Sequence, residues 1–225
     1  MPDLFALLPA LRQADHPLLA HRQIALIGVS AILHDDERYY FEVNRPRYWG
    51  QRRDGTLSIG IGGIGGQVEK GESALQCLRR EVQEELGVEF WLQPAPRTAL
   101  IHEWELAGWL DLPPSRKQPT PYLVNLLPPR LGGPEMPDAL AIVTFMGRLR
   151  SRPRRGDLFG LLTVHRAALE DFFARDEWPL EAAQDHPALA LELEDALPAG
   201  AVLRPVLTAR AFGVLVRHHL LSQRP

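Results

Sequence analysis

Three glutamates, Glu81, Glu84 and Glu85, stand at i, i+3 and i+4 in the stretch "RREVQEELGV". On a helix they share an arc of about 100°. Like charges at that spacing repel by roughly 0.2–0.5 kcal/mol per pair. Glu84 and Glu85 also fall in the last turn, where the helix dipole disfavours negative charge. A divalent cation would compensate both costs, and ligation by oxygen alone suits Mg2+ or Mn2+. On the helix alone, a solvated acidic face partly neutralised by Arg79 and Arg80 accounts for the pattern at least as well.

The element that must position these carboxylates is a helix over 73–86. Leu75, Leu78, Val82 and Leu86 recur at i, i+3, i+7 and i+11 as one apolar stripe. Ser73 with Gln76 fits a capping box, and Gly87 followed by Val88 fits a left-handed stop. Cys77 reads as a packing residue of this helix.

Upstream lies "GIGGIGGQVEKGES", in which Gly60, Gly62 and Gly65 spell G-x-G-x-x-G. A dinucleotide loop passes from strand through glycines directly into a helix. Here "GQVEKG" intervenes, with Gln67, Val68 and Glu69 extended, and no acid-ended second strand follows. A glycine-rich strand and turn that lets backbones approach closely fits better.

Read onward from Gly66, the spacing becomes specific. Gly66, Glu72, Arg80, Glu81, Val82, Glu84, Glu85, Gly87 and Val88 fill every fixed position of G-x5-E-x7-R-E-U-x-E-E-x-G-U, with U a bulky aliphatic residue. The chain therefore resembles the Nudix hydrolase family. That resemblance implies an α/β (α+β) Nudix fold, a mixed β-sheet sandwiched between helices. It implies a Mg2+- or Mn2+-dependent pyrophosphohydrolase, in which metal-activated water attacks a diphosphate linkage. The substrate would be a nucleoside diphosphate derivative: a nucleotide sugar, a dinucleotide or a (d)NTP. It assigns Glu81, Glu84 and Glu85 as metal ligands, with the Gly66 carbonyl as a further candidate. Glu81 is then the candidate general base, and Arg80 orients Glu81 and Glu72. Another carboxylate from the loop before a late strand is common in the family. Asp157 holds the matching place and Glu135 is second choice. "IGIGGIGG" departs from the family's commoner Pro-Gly-Gly, so that part of the pocket is expected to differ. A Nudix-fold module that senses a nucleotide without cleaving it is the alternative, though a sensor has no need to keep the three glutamates together.

The loop 44–55, "NRPRYWGQRRDG", mixes arginines with aromatics, which can grip phosphates and stack a base. Arg52, Arg53 and Trp49 are its candidate substrate contacts; an ordinary solvated loop is the competing reading. Arg148, Arg150, Arg152, Arg154 and Arg155 read as a solvated strand end and turn, and His218 and His219 as surface residues.

Around these motifs, strands are expected at 24–33, 39–43, 56–61, 88–92, 97–106, 139–150 and 158–166. Helices are expected at 167–176 and from 208 onward. Pro9 should break "LFALLPALR", and 112–138 and 176–205 read as irregular. The organisation expected is an N-terminal extension (1–21), a Nudix domain (22–175) and a C-terminal extension (176–225) packed on that domain. The insert or the tail could cover the site or build a homodimer.

The chain has 225 residues, 45% hydrophobic and 24% charged, with a net charge of −3. That balance fits a globular protein and argues against a nucleic-acid surface. No apolar run approaches the roughly 18–20 residues of a membrane span. The N-terminus lacks signal-peptide features, and the single cysteine excludes an internal disulfide. Together these lead to the expectation of a cytoplasmic protein acting on a small nucleotide-type molecule, with no membrane partner.

Overall fold

The chain opens with one helical turn, α1 (Leu4–Leu7), whose Ala6 amide donates to the Asp3 carboxylate at 3.1 Å. Pro9 ends it, and a 3-10 segment, Pro9–Gln13, takes over. This is a computed structural model, and it describes residues 1–113, 115, 119–129 and 136–218.

Next come β1 (Ile24–His34) and β2 (Arg38–Val43), joined by a turn in which Asp35 accepts from the Glu37 and Arg38 amides. The loop after β2 holds one 3-10 turn, Pro46–Tyr48, and the two-residue β3 (Gly50–Gln51). β4 (Leu57–Gly62) and β5 (Ile64–Gly66) carry the glycines. After an extended connection comes α2 (Ala74–Leu86). Both arms of its capping box are made, Ser73 with Gln76, and Gly87 closes it with φ 63°. Such a cap is worth about 1 kcal/mol.

β6 (Phe90–Gln93) follows, then a hairpin of β7 (Thr98–His102) and β8 (Glu105–Leu110). The sequence reads 97–106 as a single strand. The chain instead reverses at Glu103 and Trp104, whose φ values are 51° and 66°. Neither residue is a turn former, so no local signal marks the reversal. Within the proline-rich insert, β9 (Leu123–Leu127) forms where an irregular segment is expected. It is buried between β7 and β10 (Ala139–Leu149), which supply the pairing its own composition does not advertise.

β11 (Gly160–His165) precedes α3 (Leu169–Ala174). The acidic stretch read as irregular also acquires order: β12 (Trp178–Pro179), α4 (Leu180–Gln184), β13 (Leu189–Leu193) and β14 (Val202–Pro205). α5 (Leu207–Arg217) ends the described chain.

The main sheet runs β12-β14-β4-β2-β1-β10-β9-β7-β8. β1 and β10 pair in parallel at its centre, β14 and β4 pair in parallel towards one edge, and β2 and β9 pair antiparallel to their longer neighbours. β1 is buried along nearly all its length, so its alternate side chains feed two cores. Leu26, Val29 and Leu33 meet Cys77, Leu78, Val82 and Leu86 of α2 and the N-terminal leucines. Ile32 faces the other layer, where Phe172 and Phe173 of α3 and Phe212 of α5 surround Phe41. A mixed sheet thus lies between helices on both sides.

Candidate active site

The glycines are placed by strand pairing. β5 runs antiparallel to β1, with Gly65 opposite Ser30 and Gly66 opposite Val29. Gly65 has φ 145°, and a β-carbon on it would come within 2.3 Å of the Val29 carbonyl. The close approach foreseen for this stretch is therefore between two strands. α2 begins at Ala74, well past the glycines, so no helix N-terminus faces them and the dinucleotide geometry is missing.

Behind β5, α2 presents its carboxylates. Arg80 lies at their centre. Its Nη1 donates to Glu81 at 2.8 Å and to Glu84 at 3.1 Å, and its Nε donates to Glu72 at 3.1 Å. A further bond reaches the Gln67 carbonyl at 3.3 Å. The Glu81 carboxylate lies against Gly66. Glu72 also accepts from the Glu69 amide at 3.0 Å, which closes the extended connection. Arg80 holds Glu72 below the usual carboxylate range. Burial pushes Glu81 up despite its bond to Arg80, and Glu84 and Asp157 add to the rise.

Glu85 points away from Arg80 and accepts from the Gly65 amide at 3.1 Å. Across from it, on β2, stands Glu42. Burial drives Glu85 up to about 9, with Glu42, Glu81 and Asp157 repelling its charge. Burial likewise drives Glu42 up to about 7, with Arg45 as the opposing influence. Sequence reasoning missed Glu42. The available signal was a single acid inside the otherwise apolar strand "YYFEV", flanked on both sides by buried residues.

Asp157 arrives by backbone capping of α2. The Asp157 amide donates to the Glu84 carbonyl at 3.2 Å, that of Gly156 to Glu85 at 2.8 Å, and that of Arg154 to Leu86 at 3.1 Å. Carbonyls left over at the helix end are thereby satisfied, and an acid is delivered beside the glutamates. Arg45 donates to the Asp157 carbonyl. The structure thus gathers Gly66, Glu72, Arg80, Glu81, Glu84, Glu85 and Asp157 at one place. Glu135 and His219 lie outside the described residues, and His218 is exposed.

The loop candidates sit differently from the sequence expectation. Trp49 packs edge-on against Phe159, and its indole N–H donates to the Asn44 carbonyl at 2.7 Å. Arg52 pairs with Glu177. Arg53 is exposed on the turn beyond. Tyr48, by contrast, lines a cavity of about 380 Å3 with Glu42, Gly63 and Gly66. Val206, Leu207 and Thr208 form its opposite wall. The Thr208 hydroxyl is tied to Ser30 at 2.8 Å, and Ser30 to Thr144 at 2.9 Å, which holds α5 on the sheet. Of the other arginines, Arg148 pairs with Asp36 and Arg150 with Glu89, as a solvated strand end would.

The donors suit a hard cation: carboxylates and a backbone carbonyl, with no salt-bridged cation on Glu42 or Glu85 among the described residues. They are not a finished cage. Among the described residues no three acidic, histidine or cysteine side chains converge to ligating positions, and Arg80 bridges Glu81 and Glu84.

A mixed sheet lies between helices, and a glycine-led loop runs from it into a helix that carries carboxylates. Residues 26–121 match the family model of the NUDIX domain, a span that includes the whole of Gly66–Val88. This part of the chain matches as a NUDIX domain. No curated protein matches it in sequence. Similar solved structures include a NUDIX-family hydrolase from Clostridium perfringens, at 12% identity over 67% of this chain and 86% of that one, TM-score 0.38. Another is a MutT NUDIX hydrolase from Burkholderia pseudomallei, at 15% identity over 85% and 96%, TM-score 0.34. A third is a NUDIX hydrolase from Nitrosomonas europaea, at 22% identity over 60% and 65%, TM-score 0.34. No helix of the described residues is long and apolar enough to cross a membrane.

Proposed function

We propose that the protein is a Mg2+- or Mn2+-dependent pyrophosphohydrolase that cleaves the diphosphate linkage of a small nucleoside diphosphate derivative in the cytoplasm. The observation that carries this reading is the Arg80 hub, which joins Glu72, Glu81 and Glu84 behind Gly66 while Glu85, Glu42 and Asp157 crowd beside it. Glu42, Glu81, Glu84, Glu85, Asp157 and the Gly66 carbonyl would hold the cations. When bound, these would polarise the phosphate oxygens and lower the pKa of water.

The chain's own residues then divide the work. Glu81, whose carboxyl burial pushes up, takes the proton of the attacking water. Arg80 fixes that carboxylate through its 2.8 Å bond and anchors Glu72 against the loop. Gly66 leaves room for Glu81 because it has no β-carbon. One P–O bond of the bridge breaks and the water oxygen bonds to the attacked phosphorus, so two phosphorylated products leave. The nucleoside end lies in the cavity between Tyr48 and the Val206–Thr208 wall.

The test is a product-release screen over nucleotide sugars, dinucleotides and (d)NTPs with Mg2+ or Mn2+. Cleavage of any class that is abolished by chelation supports hydrolysis. Tight binding of a nucleotide without turnover under every condition would establish the sensing alternative instead.

A further inference from the structure

Beyond the 26–121 match, four arginines converge on a second cavity of about 230 Å3. Arg204 comes from β14, Arg210 and Arg217 from α5, and Arg175 from the end of α3. Arg210 and Arg217 are seven residues apart, so two helical turns bring them to one face. Asp176 and Glu177 are the acids of the lining.

Most of that negative charge is committed elsewhere or too small. Glu177 pairs with Arg52 of the loop 44–55. Arg175 pairs with Asp171 at 3.6 Å and stacks on Trp178 at 4.3 Å. Arg204, Arg210 and Arg217 remain, with Asp176 as the acid that offsets them. Arg217 donates to the Phe173 carbonyl at 2.9 Å, which fixes its direction and leaves other donors of its fork open. Burial, together with repulsion from Arg204 and Arg217, makes the charge of Arg210 costly.

A second feature holds this arrangement. The guanidinium of Arg210 lies 4.4 Å from the ring centre of Trp104. Trp104 sits at the β7–β8 reversal with Glu103, both in the left-handed region without being glycine. Strain of this kind persists where the surroundings over-determine it, and it collects at ligand clamps. The strained tip props an aromatic face under an arginine that has no ion-pair partner among the described residues.

We propose that this cavity is a phosphate-binding site for a small phosphorylated molecule, separate from the catalytic centre. Planar arginine forks match phosphate oxygens in pairs. An anion carrying two or more charges offsets the surplus that Asp176 leaves. Its lining comes from residues 173–217, beyond the 26–121 match, and it shares no residue with the cavity at Gly66. The inference does not rest on the proposed hydrolysis.

The experiment is calorimetric titration of the metal-free protein with inorganic pyrophosphate at low ionic strength. Saturable one-site binding is expected, with a dissociation constant on the order of 0.1 mM that weakens as salt rises. Arg204→Gln with Arg217→Gln should weaken it by at least about tenfold, as should Arg210→Gln, while Arg210→Lys should recover part of the loss. Without anion the double variant should melt no lower than wild type, because like-charge repulsion is removed. Should it fail to fold, exposed Arg204→Gln alone decides, with a loss of about threefold or more expected. Glu81→Gln with Glu85→Gln should leave the binding unchanged. The proposal is overturned by absence of saturable binding, by binding indifferent to the arginine variants, or by binding that disappears with the glutamates.

Discussion

The Glu81 carboxylate sits directly on Gly66: a β-carbon there would come within 2.1 Å of Oε1. That contact involves the end of a flexible side chain, which can swing away. Gly66→Ala should therefore cost little stability, under about 1 kcal/mol, while it displaces the proposed base. We expect kcat to fall by at least about 10-fold with the melting temperature almost unchanged. An alanine variant with wild-type turnover would mean that the position of Glu81 does not matter.

Removing the base without moving it is the complementary change. Glu81→Gln keeps the bond from Arg80 yet cannot take a proton. Turnover at saturating Mg2+ should fall by at least about 10²-fold, the scale of a lost general base. The pH profile of kcat should also lose its acidic limb, which separates loss of a proton acceptor from loss of packing.

Glu85 links acidity to stability. Its folded pKa is pushed up to about 9 from an ordinary value of 4.5. The folded state therefore binds the proton more tightly than the unfolded chain does. Its contribution is fully present below about pH 4.5 and is lost as pH rises towards about 9. Urea midpoints of the metal-free protein should fall across this window. The slope should be steeper than that of Glu85→Gln by up to about 1.4 kcal/mol per pH unit, the limit for one proton. Mg2+ should raise the wild-type midpoint most at high pH. The double change Glu84→Gln, Glu85→Gln should be slightly more stable without metal and indifferent to it. Equal slopes in wild type and Glu85→Gln would contradict the buried, charge-crowded environment.

The loop 44–55 separates packing from recognition. Trp49→Ala removes an aromatic contact with Phe159 and a 2.7 Å hydrogen bond. It should cost about 3 kcal/mol of stability. Arg52→Ala breaks the ion pair with Glu177 and should leave KM within about twofold. Tyr48, 61% exposed at the mouth of the Gly66 cavity, is the residue whose loss should raise KM. A rise of about 10-fold with kcat retained is expected for Tyr48→Ala on the substrate found by screening. If Arg52→Ala or Arg53→Ala raises KM and Tyr48→Ala does not, the arginines reach the phosphates.

What the sequence determined by itself was local. The capping box, the apolar stripe and the left-handed stop of α2 are written within fifteen residues, and they hold in the structure. The spacing from Gly66 to Val88 carried the family for the same reason: its meaning depends on a single loop and helix. Tertiary structure decided everything that joins distant segments. Glu42 meets Glu85 because β2 and α2 flank the same strands, and no periodicity in "YYFEV" names that partner. Residues 176–205 read as irregular because their strands are short; β14 exists by pairing in parallel with β4, far upstream. That added strand starts α5 beside the glycines, so the far end of the chain walls the cavity and gathers the arginines. Helical periodicity reports which face of an element is apolar. It carries no information about which distant element will cover that face.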